Sequence, residues 1–437
     1  MRNYVIIGIG PAGIAAAQAV RGQDAGANIL LVGDESFGYY SRPGLAYYLT
    51  GEIPEKGLYP FTQKEFQKFG FRLIHARVAA IHPLEHQIEN QSGKRLAYDR
   101  LLIATGASAV QIKIPGIDLA GVVKLDNLED ARHVLKLARG TRSAVVVGGG
   151  ITALEMVEGL VSRGVRVHYF LRGDRYWSNV LDETESRIVE SRLREEGVKI
   201  HRHTELANIL GTRGRVSGVI TKNGEQIRCQ MVAVAIGIRP RTRLAVAAGL
   251  NVERGIMVNE YLQTTAADIY AAGDVAQVYD PRSGVSVVDS LWGPARAQGH
   301  HAGLNMAGIT IPYIKEVPFN VTRLAGLTTT IVGTVGRGLD ADLVGIARGD
   351  SETWRQLPDA IAAQSDFDVN RLRIMVGQQH LLGAIVMGDQ TLSQPLHRLI
   401  SQSVDITPIR DQLLDVTVKL GDLIANFWTE WRSSNAA

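Results

Sequence analysis

Three glycines near the start of the chain have the spacing that lets a backbone approach a diphosphate. Gly8, Gly10 and Gly13 follow an apolar run at residues 4–7 and precede a helix-forming run at residues 14–20. In such a strand–turn–helix unit, the first glycine permits a tight turn, the second admits a pyrophosphate, and the third lets helix and strand pack closely. The N–H groups at the helix start attract the anion, so the motif predicts a dinucleotide site. The expected contacts are the turn residues Gly8, Gly10, Pro11, Ala12 and Gly13.

An acidic residue follows the next apolar run, which covers residues 29–32. A carboxylate at the end of this second strand accepts hydrogen bonds from the hydroxyls of an adenosine ribose. Asp34 is the predicted ribose ligand and Glu35 is the alternative. Either residue could instead be an acid in a solvated turn.

The same pattern recurs later in the chain. An apolar run at residues 144–147 leads into Gly148, Gly149 and Gly150, and Gly148 stands 140 residues beyond Gly8. Two dinucleotide folds in one chain predict two dinucleotides, and the simplest pair is a bound flavin and an exchangeable nicotinamide nucleotide. The predicted contacts of the second nucleotide are Gly148, Gly150, Ile151, Thr152, Ala153 and, further along, Gly237.

The second copy differs where the ribose would be recognised. Its second strand, at residues 165–171, ends with Leu171 followed by Arg172, and Arg175 comes three residues later. A guanidinium suits a 2′-phosphate, so Arg172 and Arg175 are predicted contacts that favour NADPH over NADH. The arginine could also stack on adenine or be a solvated charge.

Composition narrows the class of protein. The 437 residues are 45% hydrophobic and 21% charged, as expected for a folded protein of two or three domains. The net charge of +3 is spread along the chain, so a nucleic-acid partner is not expected. Charged residues interrupt the richest apolar runs, and the start lacks the regions of a signal peptide. We therefore expect a cytoplasmic protein.

Cysteine content excludes several chemistries. Cys229 is the only cysteine, so an internal disulfide, a redox dithiol and a multi-thiolate metal site are all excluded, and no metal is predicted. Its surroundings suggest a strand leading into an apolar run, which favours a structural thiol over a reactive one.

Two further motifs complete a family pattern. Residues 98–106 read Tyr-Asp-Arg-Leu-Leu-Ile-Ala-Thr-Gly and residues 268–274 read Asp-Ile-Tyr-Ala-Ala-Gly-Asp. With both glycine turns, they make roughly residues 1–310 resemble the FAD-dependent pyridine nucleotide–disulfide oxidoreductase superfamily. The resemblance implies two Rossmann-like dinucleotide-binding domains of three-layer ββα type, and a C-terminal α+β interface domain. It also implies FAD contacts from Val78, Ala104, Thr105, Gly106, Gly273 and Asp274, with Asp274 on the ribityl chain.

Within the superfamily, two segments are similar to rubredoxin and ferredoxin reductases and to the nitrite-reductase flavin domain. Residues 40–45 carry Arg42, which the resemblance places against FAD. Residues 291–299 carry Trp292 at a helix start that would face the pyrimidine edge of the flavin, although Trp292 could instead be core. Glu155 matches a contact to the nicotinamide ribose or amide, or is an acid on a helix surface. No residue is a certain catalytic group; Glu155 and Trp292 are the candidates nearest the reacting rings.

Two departures from the family pattern limit the chemistry. Pro43 stands where some relatives carry a reactive cysteine, so disulfide and peroxide chemistry through a protein sulfur is excluded. Tyr47 stands where many ferredoxin-type reductases carry a lysine near the flavin, so no lysine–glutamate ion pair is assumed.

The last third of the chain has a different pattern. Strand-like runs at residues 328–335, 371–376 and 381–389 resemble an antiparallel interface domain, which predicts a homodimer or a docking surface. The spacing of apolar residues in 408–431 predicts an amphipathic helix. Its apolar face is expected to pack on the core or to form an oligomer contact. Membrane contact is not favoured because its acids would repel anionic lipid, and a partner protein is the other alternative. The predicted domains are FAD-binding at 1–117 and 245–317, NAD(P)-binding at 118–244, and interface at 318–437.

These features predict an FAD-dependent NAD(P)H oxidoreductase. Hydride would pass from nicotinamide to flavin, with the protein supplying orientation. Electrons would then leave one at a time to an acceptor such as a ferredoxin- or rubredoxin-type protein, or as a pair to oxygen or a quinone, and no residue decides between these acceptors. The alternative is a subunit that holds FAD within a larger redox complex and turns over slowly.

Overall fold

The structure is a computed structural model that describes residues 1–36, 38–335, 344–348 and 370–435, the stretch 344–348 by its backbone alone. The chain forms two compact units. The first consists of Met1–Ile112, Val123–Gly140 and Ile236–Lys315. The second consists of Lys113–Val122, Thr141–Ala235 and Glu316–Ala437. The predicted division into three domains stays a prediction.

The strands, in chain order, are β1 (Asn3–Ile7), β2 (Asn28–Gly33), β3 (Phe71–His75), β4 (Val78–His82), β5 (Gln87–Asn90), β6 (Arg95–Ala97), β7 (Arg100–Ile103), β8 (Ala107–Ala109), β9 (Val122–Val123), β10 (Ser143–Val147), β11 (Arg166–Phe170), β12 (Lys199–His201), β13 (Leu206–Thr212), β14 (Arg215–Thr221), β15 (Gln226–Ile227), β16 (Met231–Val234), β17 (Ile238–Pro240), β18 (Ile256–Met257), β19 (Ile269–Ala271), β20 (Ala276–Asp280), β21 (Val285–Val287), β22 (Phe319–Leu324), β23 (Leu327–Gly333), β24 (Val344–Arg348), β25 (Arg371–Val376) and β26 (Leu381–Met387).

The α-helices are α1 (Pro11–Gln23), α2 (Gly44–Thr50), α3 (Gln63–Lys68), α4 (Leu128–Ala138), α5 (Ile151–Val161), α6 (Glu183–Glu195), α7 (Arg243–Ala247), α8 (Trp292–Met306), α9 (Ser393–Ser401), α10 (Arg410–Leu414) and α11 (Leu420–Ser434). Short 3₁₀ turns lie at Glu55–Leu58 and Thr407–Ile409.

A parallel sheet with the order β19-β7-β1-β2-β3 forms the centre of the first unit. The central strand β1 is almost wholly apolar, as expected for a parallel strand covered on both faces. Its neighbours β2 and β7 lie on opposite sides, so the chain leaves β1 at a topological switch point. Open α/β sheets bind ligands in the crevice at such a point.

The second unit repeats this arrangement. Its sheet contains the parallel order β12-β11-β10-β16, with β10 between β11 and β16. Each unit also has a small antiparallel sheet, β4-β5-β6 in the first and β13-β14-β15 in the second. The prediction of two Rossmann-like dinucleotide-binding folds is confirmed.

The C-terminal part of the second unit is an antiparallel sheet with the order β22-β23-β26-β25-β24. The three strands predicted at 328–335, 371–376 and 381–389 correspond to β23, β25 and β26. Helices α9 and α11 pack on this sheet around a core that includes Val332, Ile374, Leu396, Leu413 and Ile424.

The C-terminal tail forms two helices, so the prediction of one amphipathic helix over residues 408–431 is wrong in this respect. The chain leaves α10 at Asp415, whose carboxylate accepts hydrogen bonds of 2.8 Å from both the backbone N–H and the hydroxyl of Thr417. Such a local side-chain turn competes with helix continuation. Phe427, Trp428 and Trp431 of α11 pack on the core of the second unit, which agrees with the core-packing alternative.

Across the described ranges of the chain, every helix is too short or too polar to cross a lipid bilayer.

Candidate dinucleotide sites

The first glycine turn has the geometry that its sequence predicts. Gly8 has a φ of +115°, and a Cβ there would lie 2.1 Å from the carbonyl oxygen of Ala104. A Cβ on Gly13 would lie 2.1 Å from the carbonyl oxygen of Gly8. Both positions therefore need glycine, the first for its conformation and both for space.

Gly10 differs from these two glycines because a Cβ there would meet no atom of the described residues within 4 Å. Helix α1 starts at the next residue, and no side chain caps its N-terminus. Open space beside an uncapped helix start is the environment that a dinucleotide diphosphate needs, so the residues present fit FAD. Pro11 and Ala12 form the first turn of α1 beside this space.

The two acids after β2 have different environments. The side chain of Asp34 is 55% exposed, and the Nε atom of Arg77 lies 4.0 Å from its carboxylate. Glu35 is half-buried and shares a hydrogen bond with the hydroxyl of Tyr40, while burial raises the pKa of its carboxyl group. Asp34 is therefore the acid open to a ribose, although the ligand role of both residues stays a prediction.

The motif at residues 268–274 places Gly273 and Asp274 beside the first glycine turn. A Cβ on Gly273 would lie 3.1 Å from the Cβ of Ala12, and the N–H of Gly273 donates to Oε1 of Gln298 at 2.8 Å. Gln298 is wholly buried, and its Nε2 has no acceptor among the described residues. Burial raises the pKa of Asp274, and the guanidinium of Arg42 opposes the rise.

The other predicted FAD contacts lie around the same sheet. The N–H of Ala104 donates to the carbonyl oxygen of Ile7 at 2.8 Å, so the segment that continues through Thr105 and Gly106 runs beside β1. Val78 starts β4 and is buried in the core of the first unit.

A buried acid that the sequence analysis missed organises the charges of this unit. Asp126 is 3% exposed, and its carboxylate pairs with Arg42 at 3.0 Å, Arg241 at 3.2 Å and Lys124 at 3.2 Å. Three cations therefore surround one buried carboxylate. No local pattern identifies Asp126 or Arg241, because they lie 115 positions apart in the sequence.

Trp292 begins helix α8 and is 42% exposed, so the alternative that it is a core residue is wrong. The guanidinium of Arg296, one turn later, lies 4.8 Å from the centre of its ring. Helix α8 packs against α1 without intervening side chains, because Cβ atoms on Gly299 and Gly303 would lie within 2.1 and 2.4 Å of α1 carbonyl oxygens.

The second glycine turn has nearly the same geometry as the first. Gly148 has a φ of +144°, and a Cβ there would lie 2.0 Å from the carbonyl oxygen of Ala235. Gly149 and Gly150 face open space, and no side chain caps the start of α5. Ile151, Thr152 and Ala153 form the first turn of that helix. This turn therefore also fits a dinucleotide.

The two arginines predicted to recognise the nucleotide differ in exposure and in their ion pairs. Arg172 is exposed at the end of β11, directly after the buried Leu171. Arg175 pairs with the carboxylate of Asp174 at 2.7 Å and donates to the carbonyl oxygen of Ser178 at 3.3 Å. Arg172 is therefore the arginine more open to a phosphate. Gly237 belongs to the first unit with a φ of +120°, and its role as a nucleotide contact stays a prediction.

Glu190 on α6 fixes the loop that carries these arginines. Its buried carboxylate accepts the backbone N–H of Tyr176 at 2.9 Å and pairs with Arg194 at 2.8 Å and Arg202 at 2.5 Å. The N–H of Trp177 donates to the carbonyl oxygen of Gly149 at 3.1 Å, which ties the loop to the glycine turn. No sequence motif predicted this contact of Glu190.

Helix α5 carries two acids on successive turns. Glu155 is half-buried on its second turn, and its contact to the nicotinamide stays a prediction. Glu158 accepts a hydrogen bond of 3.2 Å from the N–H of Gly326, and burial raises its pKa to about 7.

The single cysteine is unsuited to act as a nucleophile. Cys229 is wholly buried, and burial raises the pKa of its thiol to about 12. The thiolate form is therefore negligible near neutral pH, as expected for a structural thiol.

A family model described as pyridine nucleotide-disulphide oxidoreductase matches residues 2–299. The chain belongs to this family. It is accordingly an FAD-dependent NAD(P)H oxidoreductase, in agreement with the prediction from the sequence.

Several relatives extend this similarity. The ferredoxin–NAD(+) reductase component of a biphenyl dioxygenase system from Paraburkholderia xenovorans is 32% identical over 364 residues, covering 81% of this chain and 86% of the relative. The epsilon subunit of NADH-dependent phenylglyoxylate dehydrogenase from Aromatoleum evansii is 27% identical over 435 residues, covering 98% of both chains. The putidaredoxin reductase–putidaredoxin complex contains a chain with a TM-score of 0.85 at 25% identity, covering 97% of this chain and 98% of that one.

Proposed function

We propose that the chain takes hydride from a nicotinamide nucleotide and passes single electrons to a small iron–sulfur protein of the ferredoxin or rubredoxin type. The observation that carries this proposal is an FAD-type cradle in a chain whose one thiol is buried and protonated. Without a redox dithiol, electrons must leave for an external acceptor. The names of the relatives, which include ferredoxin and rubredoxin reductases, support an acceptor of this class.

The protein's contribution is binding and orientation. The first glycine turn and the N-terminus of α1 bind the diphosphate, Asp34 binds the adenosine ribose, and Asp274 binds the ribityl chain. Bound FAD would supply the conversion of a two-electron hydride donor into single-electron transfers. The second glycine turn presents the reduced nucleotide, and Glu155 holds its nicotinamide end.

We also propose that NADPH is the preferred reductant. The exposed guanidinium of Arg172, at the end of β11, supports this choice because a 2′-phosphate needs a cation there. NADH would bind through the same turn without that ion pair.

Acceptor dependence tests the proposed function. The FAD-loaded protein, NADPH and cytochrome c are mixed without oxygen, with and without an added [2Fe–2S] ferredoxin or a rubredoxin. We expect rapid cytochrome c reduction only when one of the iron–sulfur proteins is present. Reduction at the same rate without them would contradict an iron–sulfur acceptor.

Removing the thiol provides a matched control. Cys229→Ala should keep its FAD and its ferredoxin-dependent rate, because the buried thiol takes no part in electron transfer. Loss of that rate in a folded, yellow Cys229→Ala protein would indicate a sulfur relay and contradict the proposal.

A second candidate function is an FAD-holding subunit of a larger redox complex. The observation that favours it is the similarity to a dehydrogenase subunit over nearly the whole of both chains. The protein would then be reduced quickly by NADPH or NADH but pass electrons slowly to free ferredoxin. Fast multiple turnover with ferredoxin alone would exclude this alternative.

The proposal includes a cytoplasmic homodimer that associates through the C-terminal sheet. Edge strand β22 supports this association because Phe319 and Val321 are exposed on it. We expect light scattering to give the mass of two chains, and Val321→Lys to give the mass of one. A wild-type protein that stays monomeric at high concentration would contradict the dimer.

A further inference from the structure

The carboxylate of Asp126 lies among three cations, and the acid and the cations differ in how far they are exposed. The carboxylate is almost wholly buried, whereas the side chains of Arg42, Lys124 and Arg241 are 45%, 36% and 38% exposed. Lys124 also pairs with Asp130, with the Nζ atom 3.3 Å from that carboxylate. The two guanidiniums therefore have ends fixed by a buried acid and ends that reach outward.

Among the described residues, neither the Arg42 nor the Arg241 guanidinium has partners for all of its N–H donors. A guanidinium has five N–H donors in a fixed fork. Arg42 contacts Asp126 through one nitrogen, and Arg241 uses one nitrogen for Asp126 and another for the carbonyl oxygen of Thr105 at 3.4 Å. This arrangement can accept a second anion without releasing the first.

Arg241 is tied to the segment of predicted FAD contacts. Its backbone N–H donates to the carbonyl oxygen of Gly106 at 2.9 Å, and the hydroxyl of Thr105 donates to its carbonyl oxygen at 3.2 Å. These bonds fix the Arg241 backbone beside the end of β7, next to the first glycine turn.

The guanidiniums also lie near two acids on either side of that turn. Glu35 follows β2, Asp274 follows β19, and each carboxylate interacts electrostatically with both Arg42 and Arg241. The carboxyl ends of parallel strands meet at one edge of the sheet, where dinucleotides bind. The two cations therefore lie at the edge where the diphosphate of FAD would be.

We propose that Arg241 and Arg42 together bind the FAD diphosphate, and that buried Asp126 is the positioning residue that holds both arginines in place. A buried carboxylate is stable only when it is paired, so it fixes the guanidiniums before the ligand arrives. Prepositioned cations bind phosphate more tightly because less side-chain entropy is lost on binding. This inference rests on FAD as the resident cofactor.

The alternative role for Arg241 is structural. It could serve only to neutralise Asp126, a task that Arg42 and Lys124 already share. The two roles differ in one respect: a structural role affects the protein with and without FAD equally, whereas a ligand role affects FAD binding.

FAD affinity of the full-length apoprotein tests the proposal, with Arg241→Met as the variant and Arg243→Met as the control. Arg243 lies two residues further along and is exposed on α7. We expect Arg241→Met to weaken FAD binding roughly 10- to 100-fold, as measured by flavin fluorescence, and Arg243→Met to leave it unchanged. The rise in melting temperature on adding FAD should shrink in the same variant.

The double variant Asp126→Asn/Arg241→Met keeps the test valid if the single variant folds poorly. It removes one charge of each sign, so the apoprotein should fold as the wild type does while FAD binding stays weak. Wild-type FAD affinity in the folded single or double variant would overturn the proposal. If the wild-type apoprotein itself bound no FAD, the proposed reductase function would fail. Failure of the arginine proposal is distinguishable from this outcome, because the wild type would then still bind FAD.

Discussion

The two glycine turns of this chain are nearly identical in backbone and different in surroundings. Gly8 and Gly148 both adopt positive φ angles, and both approach a carbonyl oxygen so closely that no Cβ fits. Helix α1 after the first turn carries no acid and packs against α8 through glycine contacts. Helix α5 after the second turn carries Glu155 and Glu158.

This difference shows what each part of the motif determines. We propose that each turn provides a generic place for a diphosphate and that the neighbouring charges distinguish the nucleotides. Around the first turn, Arg42 and Arg241 add cations held by a buried acid, as expected for a cofactor that stays bound. Around the second, an exposed Arg172 suits a nucleotide that exchanges.

The largest effects are expected where both turns need glycine. Gly8→Ala should cost about 3 kcal/mol or more of unfolding free energy and abolish FAD retention, because its Cβ would overlap Ala104. Gly148→Ala has the equivalent clash in the second unit, so we expect protein that keeps its yellow colour but is not reduced by NADPH. Absorbance spectra before and after NADPH addition check both variants.

Gly22→Ala is the matched control, since Gly22 lies in α1 and a Cβ there meets nothing within 4 Å. It should behave as wild type. Loss of FAD from Gly148→Ala together with normal FAD retention in Gly8→Ala would reverse the assignment of the two turns.

Glu158 on α5 should make the second unit sensitive to pH. The pKa of Glu158, about 7 in the folded chain, lies above its ordinary value of 4.5, so ionising this group destabilises the fold. Its contribution is fully favourable below pH 4.5 and is lost as the pH rises through 7. The loss amounts to about 3 kcal/mol at most.

Glu158→Gln keeps an acceptor for the N–H of Gly326 and removes the titration. Melting temperatures at about pH 5 and about pH 8 should therefore differ less in this variant than in wild type. Glu183→Gln, at an exposed glutamate of α6, is the control and should match wild type. An unchanged pH dependence in Glu158→Gln would show that its burial has no role in stability.

Substitutions at Gly10 and Gly150 separate effects on folding from effects on ligand binding. A Cβ on Gly10 or Gly150 meets no atom within 4 Å in the part of the chain that the structure describes, so Gly10→Ala and Gly150→Ala should fold normally. We expect Gly10→Ala to weaken FAD binding roughly tenfold or more, and Gly150→Ala to raise the KM for NADPH similarly, because the Cβ enters space needed by a diphosphate. Fluorescence titration measures the effect on FAD binding, and steady-state kinetics measure the effect on the KM for NADPH. If the wild type, Gly10→Ala and Gly150→Ala bound FAD equally, the assignment of the first turn would be contradicted.

The smallest expected change concerns the choice of reductant. Arg172→Leu should lower kcat/KM for NADPH about tenfold and leave the value for NADH nearly unchanged, because only NADPH has a 2′-phosphate. Arg166→Leu, at the exposed start of β11, is the control. A parallel loss with both nucleotides would mean that Arg172 does not read the phosphate.

The sequence was sufficient for features that depend on local pattern. Apolar runs followed by glycine turns predicted β1, α1, β10 and α5. The residues that create the steric requirement for Gly8 and Gly148 belong to a recognisable local motif of strand, turn and helix. Long-range pairings were not predictable in this way. Arg241 and Asp126 come together only through the folded sheet, and so do Glu190 and the N–H of Tyr176.

The prediction of one tail helix failed because of local competition for the backbone. The tail helix is interrupted because the Asp415 carboxylate bonds to Thr417, and the periodicity of apolar residues does not reveal such a turn. Trp292 is exposed beside Arg296, which excludes the alternative of a core residue, and its position facing the flavin stays a prediction.

Anaerobic titration of the purified, FAD-loaded protein with NADPH tests whether the two glycine turns hold the two nucleotides proposed for them. If the first turn holds FAD and the second presents the reductant, the visible flavin absorbance should bleach at stoichiometric NADPH. A colourless protein that cannot be loaded with FAD, or a yellow protein that neither NADPH nor NADH bleaches, would contradict the account.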